Sequence, residues 1–203
     1  MSSAPTSALE RAAIELVRLH QARARTEALV CLDSSGAAIV DMAVGDPNRV
    51  TLTPAMQEHL DAGHNCRLIH SHSSERSLGD SDWAACLADT GIEEIIGVNS
   101  SGSVFRGSAL DWSGLAPYRG RLDQIGRDVE AKVCPLLPAD HPAVYLMADL
   151  SWVPSHLVNE RLHKKGLVLY SAALSIRDGR LLKNPSVAPL VAAGVAEAAR
   201  HIP

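Results

Sequence analysis

Apolar residues recur at helical spacing at Leu9, Ala12, Ala13, Leu16, Val17 and Leu19, which predicts an amphipathic helix over residues 7–22. The pattern then changes to a short continuous apolar run, Ala28-Leu29-Val30-Cys31-Leu32, which reads as a buried strand. Asp33-Ser34-Ser35-Gly36 is a turn cluster, and Ala37 to Val44 reads as the returning arm of a hairpin. Gly45-Asp46-Pro47-Asn48 breaks the chain again. Thr53 then suits a helix N-cap with Pro54 at the first helical position, opening a helix to about Ala62.

Arg67-Leu68-Ile69-His70 is a compact strand ending in His-Ser-His, and a Ser-rich loop to Gly79 follows. The next helix is expected from Asp80 or Ser81 to Gly91, then a strand from Glu93 to Val98, a turn at Asn99-Ser100-Ser101-Gly102 and a short strand from Ser103 to Arg106. Short strands with inserted helices make this half an α/β sandwich.

After about Leu110 the character changes. Trp112 to Gly120 reads as loop, Leu122 to Leu137 as a helix ended by Pro135 and Pro138, and Ser155 to Lys165 as a further helix closed by Gly166. Leu167-Val168-Leu169-Tyr170 is strand-like, Asp178-Gly179 reads as a hairpin turn, and Val187 to His201 as an Ala-rich helix. We therefore divide the chain into residues 1–110, with the N-terminal helix, and residues 111–203, an α+β extension packing on the same core.

Composition narrows the function classes. The chain has 203 residues, 46% hydrophobic and 21% charged, which suits a folded protein with a substantial core. Only 3% is aromatic, so that core must be built from Ala, Val, Leu and Ile. A formal net charge of −4 with scattered Lys and Arg argues against a nucleic-acid partner. No run approaches the roughly 18 apolar residues of a membrane span, and Met1 to Pro5 lack a signal-peptide layout, so a soluble cytoplasmic protein is expected. Cys31, Cys66, Cys86 and Cys134 form no Cys-x-x-Cys pair and read as small buried hydrophobes.

The chemistry lies in the segment from Leu68 to Trp83. His70 and His72, at i and i+2, point to the same side of an extended strand end, so their imidazoles can converge on one ion. A carboxylate from the first turn of the next helix, Asp82, completes three protein ligands, leaving a fourth position for water. Zinc bound in this way lowers the pKa of its water toward about 7. Such a site still needs a general base. Glu27, at the head of an otherwise apolar strand, is the candidate, against the reading that it is a solvated edge charge.

The order Glu…His-x-His…Asp resembles that of the JAB/MPN (JAMM) zinc metallopeptidase family, in particular its compact bacterial and phage-type members. The resemblance spans roughly residues 25 to 107. It is carried by Arg25-Thr26-Glu27 leading a strand, Gly36 in the hairpin turn, Gly45-Asp46 before Val50-Thr51-Leu52-Thr53-Pro54, the His70-Ser71-His72 triplet, Ser81-Asp82-Trp83 opening a helix, and Gly91-Ile92 and Gly102-Ser103-Val104-Phe105 downstream. It implies a cytidine-deaminase-like α/β fold, a zinc ion held by His70, His72 and Asp82, and Glu27 as acid and base. The implied activity is cleavage of peptide or isopeptide bonds in a protein or peptide substrate, in deubiquitinase-like members at the tail of a ubiquitin-like protein.

Two positions depart from the family pattern. Ser73 stands where Pro usually follows the second His, and Gly79 stands where a serine is expected three residues before the ligand Asp. The Gly79 N–H or the Ser77 or Ser81 hydroxyl is then the substitute oxyanion donor. A register of Ser77-x-x-Asp80 restores the serine and makes Asp80 the third ligand instead. The alternative function is a catalytically impaired scaffold that keeps the fold without a working site.

Overall fold

The computed structural model describes residues 7–72, 76–136 and 150–203. Ser73, Leu137, Pro138 and the Met1–Pro5 segment, singled out in the sequence, lie outside the described residues. The protein is a mixed α/β structure in which six strands form one sheet, with eight α-helices among the described residues. The strands are β1 (Ala28–Asp33), β2 (Ile39–Val44), β3 (Cys66–His72), β4 (Ile92–Asn99), β5 (Val104–Ala109) and β6 (Val168–Ala173), in the order β2-β1-β3-β4-β5-β6. Only β3 and β4 run parallel; every other neighbouring pair is antiparallel.

The helices are α1 (Ala8–Ala24), α2 (Pro54–Asp61), α3 (Asp80–Ala88), α4 (Trp112–Leu115), α5 (Leu122–Val133), α6 (Val153–Lys164), α7 (Ile176–Leu182) and α8 (Ala188–His201). Ser7 caps α1 by accepting the Glu10 N–H, and Thr53 caps α2 by accepting the Met56 N–H with Pro54 just behind it. β1 is apolar from Ala28 to Leu32 because both of its faces are covered there. Ala28, Val30 and Leu32 meet Ala13, Ile14 and Val17 of α1, whereas Leu29 and Cys31 enter a second core with α2, α3, α5, α6 and α8.

Buried charge anchors α1 to the sheet. Glu10, fully buried, is ion-paired with Arg106 of β5 and Arg67 of β3, and both arginines also reach Glu94 of β4. On the opposite face, Gly107 of β5 gives Trp83 room, since a Cβ there would lie 2.5 Å from Trp83 Cη2.

The C-terminal half is built into the same sheet: β6 pairs along β5 from Val104↔Ala173 to Ala109↔Val168. α5, α6 and α8 pack on one another, and a Cβ on Gly194 would lie 2.6 Å from Leu157 Cδ1.

Several sequence expectations are corrected here. Asp178-Gly179 lies inside α7, because Ser175 accepts the Asp178 N–H and starts a helix. The Asp178 carboxylate is then buried against Asn99, Ser101 and Ser103. Trp112 to Gly120 contains α4, capped by Asp111, and a 3-10 turn at Ala116–Tyr118. The helix from Leu122 ends at Val133 and tightens into a 3-10 turn at Cys134–Leu136. Cys31, Cys66 and Cys86 are buried, but Cys134 is exposed. No helix among the described residues is long and apolar enough to cross a membrane.

Candidate metal centre

β3 and β4 run side by side and are linked through α3, so the carboxyl end of β3 opens directly onto the first turn of α3. Ligands in open α/β sheets gather at such strand ends. His70 and His72, two residues apart on β3, face the α3 side, and Asp82 stands in the first turn of α3. Their donor atoms all lie within 4.8 Å of one another, and all three residues are buried.

His70 Nε2 lies 2.6 Å from His72 Nε2 and 3.0 Å from Asp82 Oδ1, and His72 Nε2 lies 3.4 Å from Asp82 Oδ2. A tetrahedral zinc site with bonds near 2.05 Å has edges of about 3.3 Å, so these atoms need to part by less than about 1 Å to take the ion. Two imidazole nitrogens and one carboxylate oxygen form a donor set that zinc accepts. Among the described residues this is the one group of His, Cys, Asp and Glu with such geometry.

The surrounding atoms orient these ligands. His72 Nδ1 lies 2.9 Å from the Arg76 carbonyl, so it donates there and leaves Nε2 as the atom that could bind an ion. Gly97 of β4 clears the space for that ring, since a Cβ there would lie 3.2 Å from His72 Cε1. The Gly79 N–H donates to Asp82 Oδ2 at 2.7 Å, leaving Oδ1 toward His70. Burial alone disfavours ionised Asp82 and protonated His72. The attraction between Asp82 and the two imidazoles outweighs it, holding the Asp82 carboxyl far below the usual range and lifting His72 to about 9.

Asp80, the alternative third ligand, has its carboxylate at the head of α5, where it accepts the Leu122 and Asp123 N–H groups at 2.9 and 3.0 Å. Asp123 in turn accepts the Asp80 N–H at 3.2 Å. The two helix starts are stapled together, and that staple lies beside the ligand cluster.

His70, His72 and Asp82 line a cleft of about 830 Å³ walled by the segment from Asn48 to Leu52 on one side and α3 on the other. Glu27 lines the same cleft, and its charge contributes to the raised pKa of His72. The register explains why: Leu29 stands opposite His70 in an antiparallel pair, so Glu27, two residues earlier, falls on the same face beside His72. Its backbone continues the ladder with Gly45 and Asp46.

The three oxyanion candidates are placed differently. The Gly79 amide is directed at Asp82, and the buried Ser77 hydroxyl lies 2.7 Å from Tyr170 Oη. Ser81 is exposed on the first turn of α3 and lines the cleft. Sequence reasoning had no local signal for the Arg76 carbonyl, Gly97 or Asp123, which act here through backbone or steric contact.

Comparison with family models, curated proteins and solved structures gives no match to this chain.

Proposed function

We propose that the protein is a zinc-dependent hydrolase of the JAB/MPN type, with a cytidine-deaminase-like fold, that cleaves peptide or isopeptide bonds. The observation that carries the reading is the convergence of His70, His72 and Asp82 at a strand end, with Glu27 lining the same cleft. Zinc, when bound by those three residues, supplies Lewis acidity toward a water and a carbonyl. Glu27 takes the proton from the attacking water and returns it to the leaving amine. The cleft, at about 830 Å³, has room for an extended tail such as that of a ubiquitin-like protein. Ser81, exposed and lining the cleft, is the hydroxyl we assign to support the developing oxyanion.

Protein purified without chelator, measured for metal content and assayed on fluorogenic peptide amides and an isopeptide-linked ubiquitin dimer, tests this. One equivalent of zinc, with hydrolysis removed by chelator and restored by zinc, is the expected result.

A second reading, a scaffold with an impaired site, is favoured by one observation. A Cβ at Gly79 would lie 3.0 Å from Asp123 Oδ1, so a serine where the family pattern puts one is crowded and requires Asp123 to shift by a few tenths of an ångström. Folded protein without hydrolysis of either substrate supports that reading.

A further inference from the structure

The Leu78–Gly79 peptide group is held at both ends. Its N–H, on Gly79, donates to Asp82 Oδ2 at 2.7 Å, and its carbonyl, on Leu78, accepts Asn159 Nδ2 at 2.7 Å. Asn159 belongs to α6, 81 residues from Leu78 in sequence, and is almost fully buried.

The other atoms of the Asn159 amide are also committed. Oδ1 accepts the Trp83 indole N–H at 2.8 Å, and Nδ2 reaches Ser77 Oγ at 3.2 Å. The indole only donates and a peptide carbonyl only accepts, so these two partners fix which way the amide faces. Trp83 directly follows Asp82 in α3. One side chain therefore grips both the loop before Asp82 and the helix that carries it.

A further chain of bonds buttresses this grip from β6. Ser77 Oγ contacts Tyr170 Oη at 2.7 Å, and Tyr170 Oη contacts His156 Nδ1 at 2.9 Å. Ser155 Oγ accepts the Ser77 N–H at 3.0 Å.

We infer that Asn159 is a positioning residue for the metal ligand Asp82, acting through the Leu78–Gly79 peptide, and that the C-terminal half thereby sets the geometry of the metal site. This inference rests on the metal-binding reading above. A peptide plane pinned by Asn159 aims its N–H at Oδ2 and keeps Oδ1 toward His70. Without the Leu78 bond the plane is free to rotate, and the carboxylate loses the contact that turns Oδ1 toward His70 and Oδ2 toward His72. Groups that orient a ligand from behind commonly change metal affinity 10–100-fold when removed.

The test uses the full chain and Zn²⁺ in competition with a chromophoric chelator, together with the visible absorption bands of the Co²⁺ form. Asn159→Leu is expected to weaken Zn²⁺ binding about 10–100-fold and to alter the Co²⁺ bands. Asn159→Asp, which keeps the acceptor facing Trp83 and replaces the donor facing Leu78, serves if the Leu variant does not fold. Tyr170→Phe, which cuts the buttress but spares the Leu78 bond, is expected to lower stability while leaving Zn²⁺ affinity and the Co²⁺ bands unchanged.

In the unaltered protein the Gly79 amide should exchange with solvent as slowly as buried amides of α3. Wild-type Zn²⁺ affinity and Co²⁺ bands in a folded Asn159 variant, or fast Gly79 exchange, overturn the inference and leave the metal site standing. A wild-type protein that takes up neither ion overturns both.

Discussion

Gly79 and Asp123 are fitted to each other: a Cβ added to the glycine would lie 3.0 Å from Asp123 Oδ1, closer than a side chain and a carboxylate oxygen ordinarily approach. The Gly79 backbone is extended, at φ −119° and ψ −169°, so the constraint is steric and comes from α5. Gly79→Ala should cost about 1–3 kcal/mol, as overpacked sites do. In an Asp123→Ala background the same change should cost little. A double-mutant cycle by urea denaturation reads the coupling.

Glu27 and His70 separate chemistry from metal retention. Glu27→Ala should keep its zinc yet lose hydrolysis by about 10²–10⁴-fold, the usual contribution of a positioned acid or base. His70→Ala should lose both, because two remaining ligands hold zinc poorly. Metal content and turnover measured on the same preparations check this, and full turnover by the Glu27 variant removes the assigned role.

His156 makes stability depend on acid. Burial drives its pKa below the ordinary value of 6.5, with the partly exposed Glu160 opposing, so the folded ring takes up a proton less readily than the unfolded one. The unfolded chain binds a proton there below about 6.5 more readily than the folded one, so stability is present above that pH and falls as the pH drops through it. The slope has a ceiling of about 1.4 kcal/mol per pH unit for one such group. Urea denaturation from pH 5 to 8 should show it, with a shallower slope in His156→Gln.

Glu10 carries the other face of the sheet. Its carboxylate is fully buried between Arg67 and Arg106. Glu10→Ala should destabilise by about 3–5 kcal/mol, because it leaves buried guanidinium charge short of a partner. Zinc affinity should hardly change, since α1 and the ligands lie on opposite faces of the sheet. Denaturation and metal titration of one variant separate the two effects.

Features that depend on neighbours in sequence were readable there. Ser7, Thr53 and Pro54 mark helix starts through contacts within one turn, and the His70-x-His72 spacing places two rings on one side of a strand. Asp178-Gly179 misled because turn chemistry and helix-start chemistry use the same residues, and here the Ser175 cap starts a helix whose Asp178 is buried against Asn99 and Ser103. Asn159 and Tyr170 gave no signal at all. Their partners Trp83 and Ser77 are 76 and 93 residues away, and no periodicity links residues that distant.

β6 has a consequence for the order in which the protein can assemble during synthesis. β5 is complete at Ala109, but the strand that covers its outer edge begins at Val168, roughly 60 residues later. A ribosome-bound chain must carry that unpaired rim until α6 has emerged, and an open rim is where nascent chains pair with each other. Asn159 emerges in the same interval, so the support of the His70, His72 and Asp82 cluster and the safe closure of the sheet become available together.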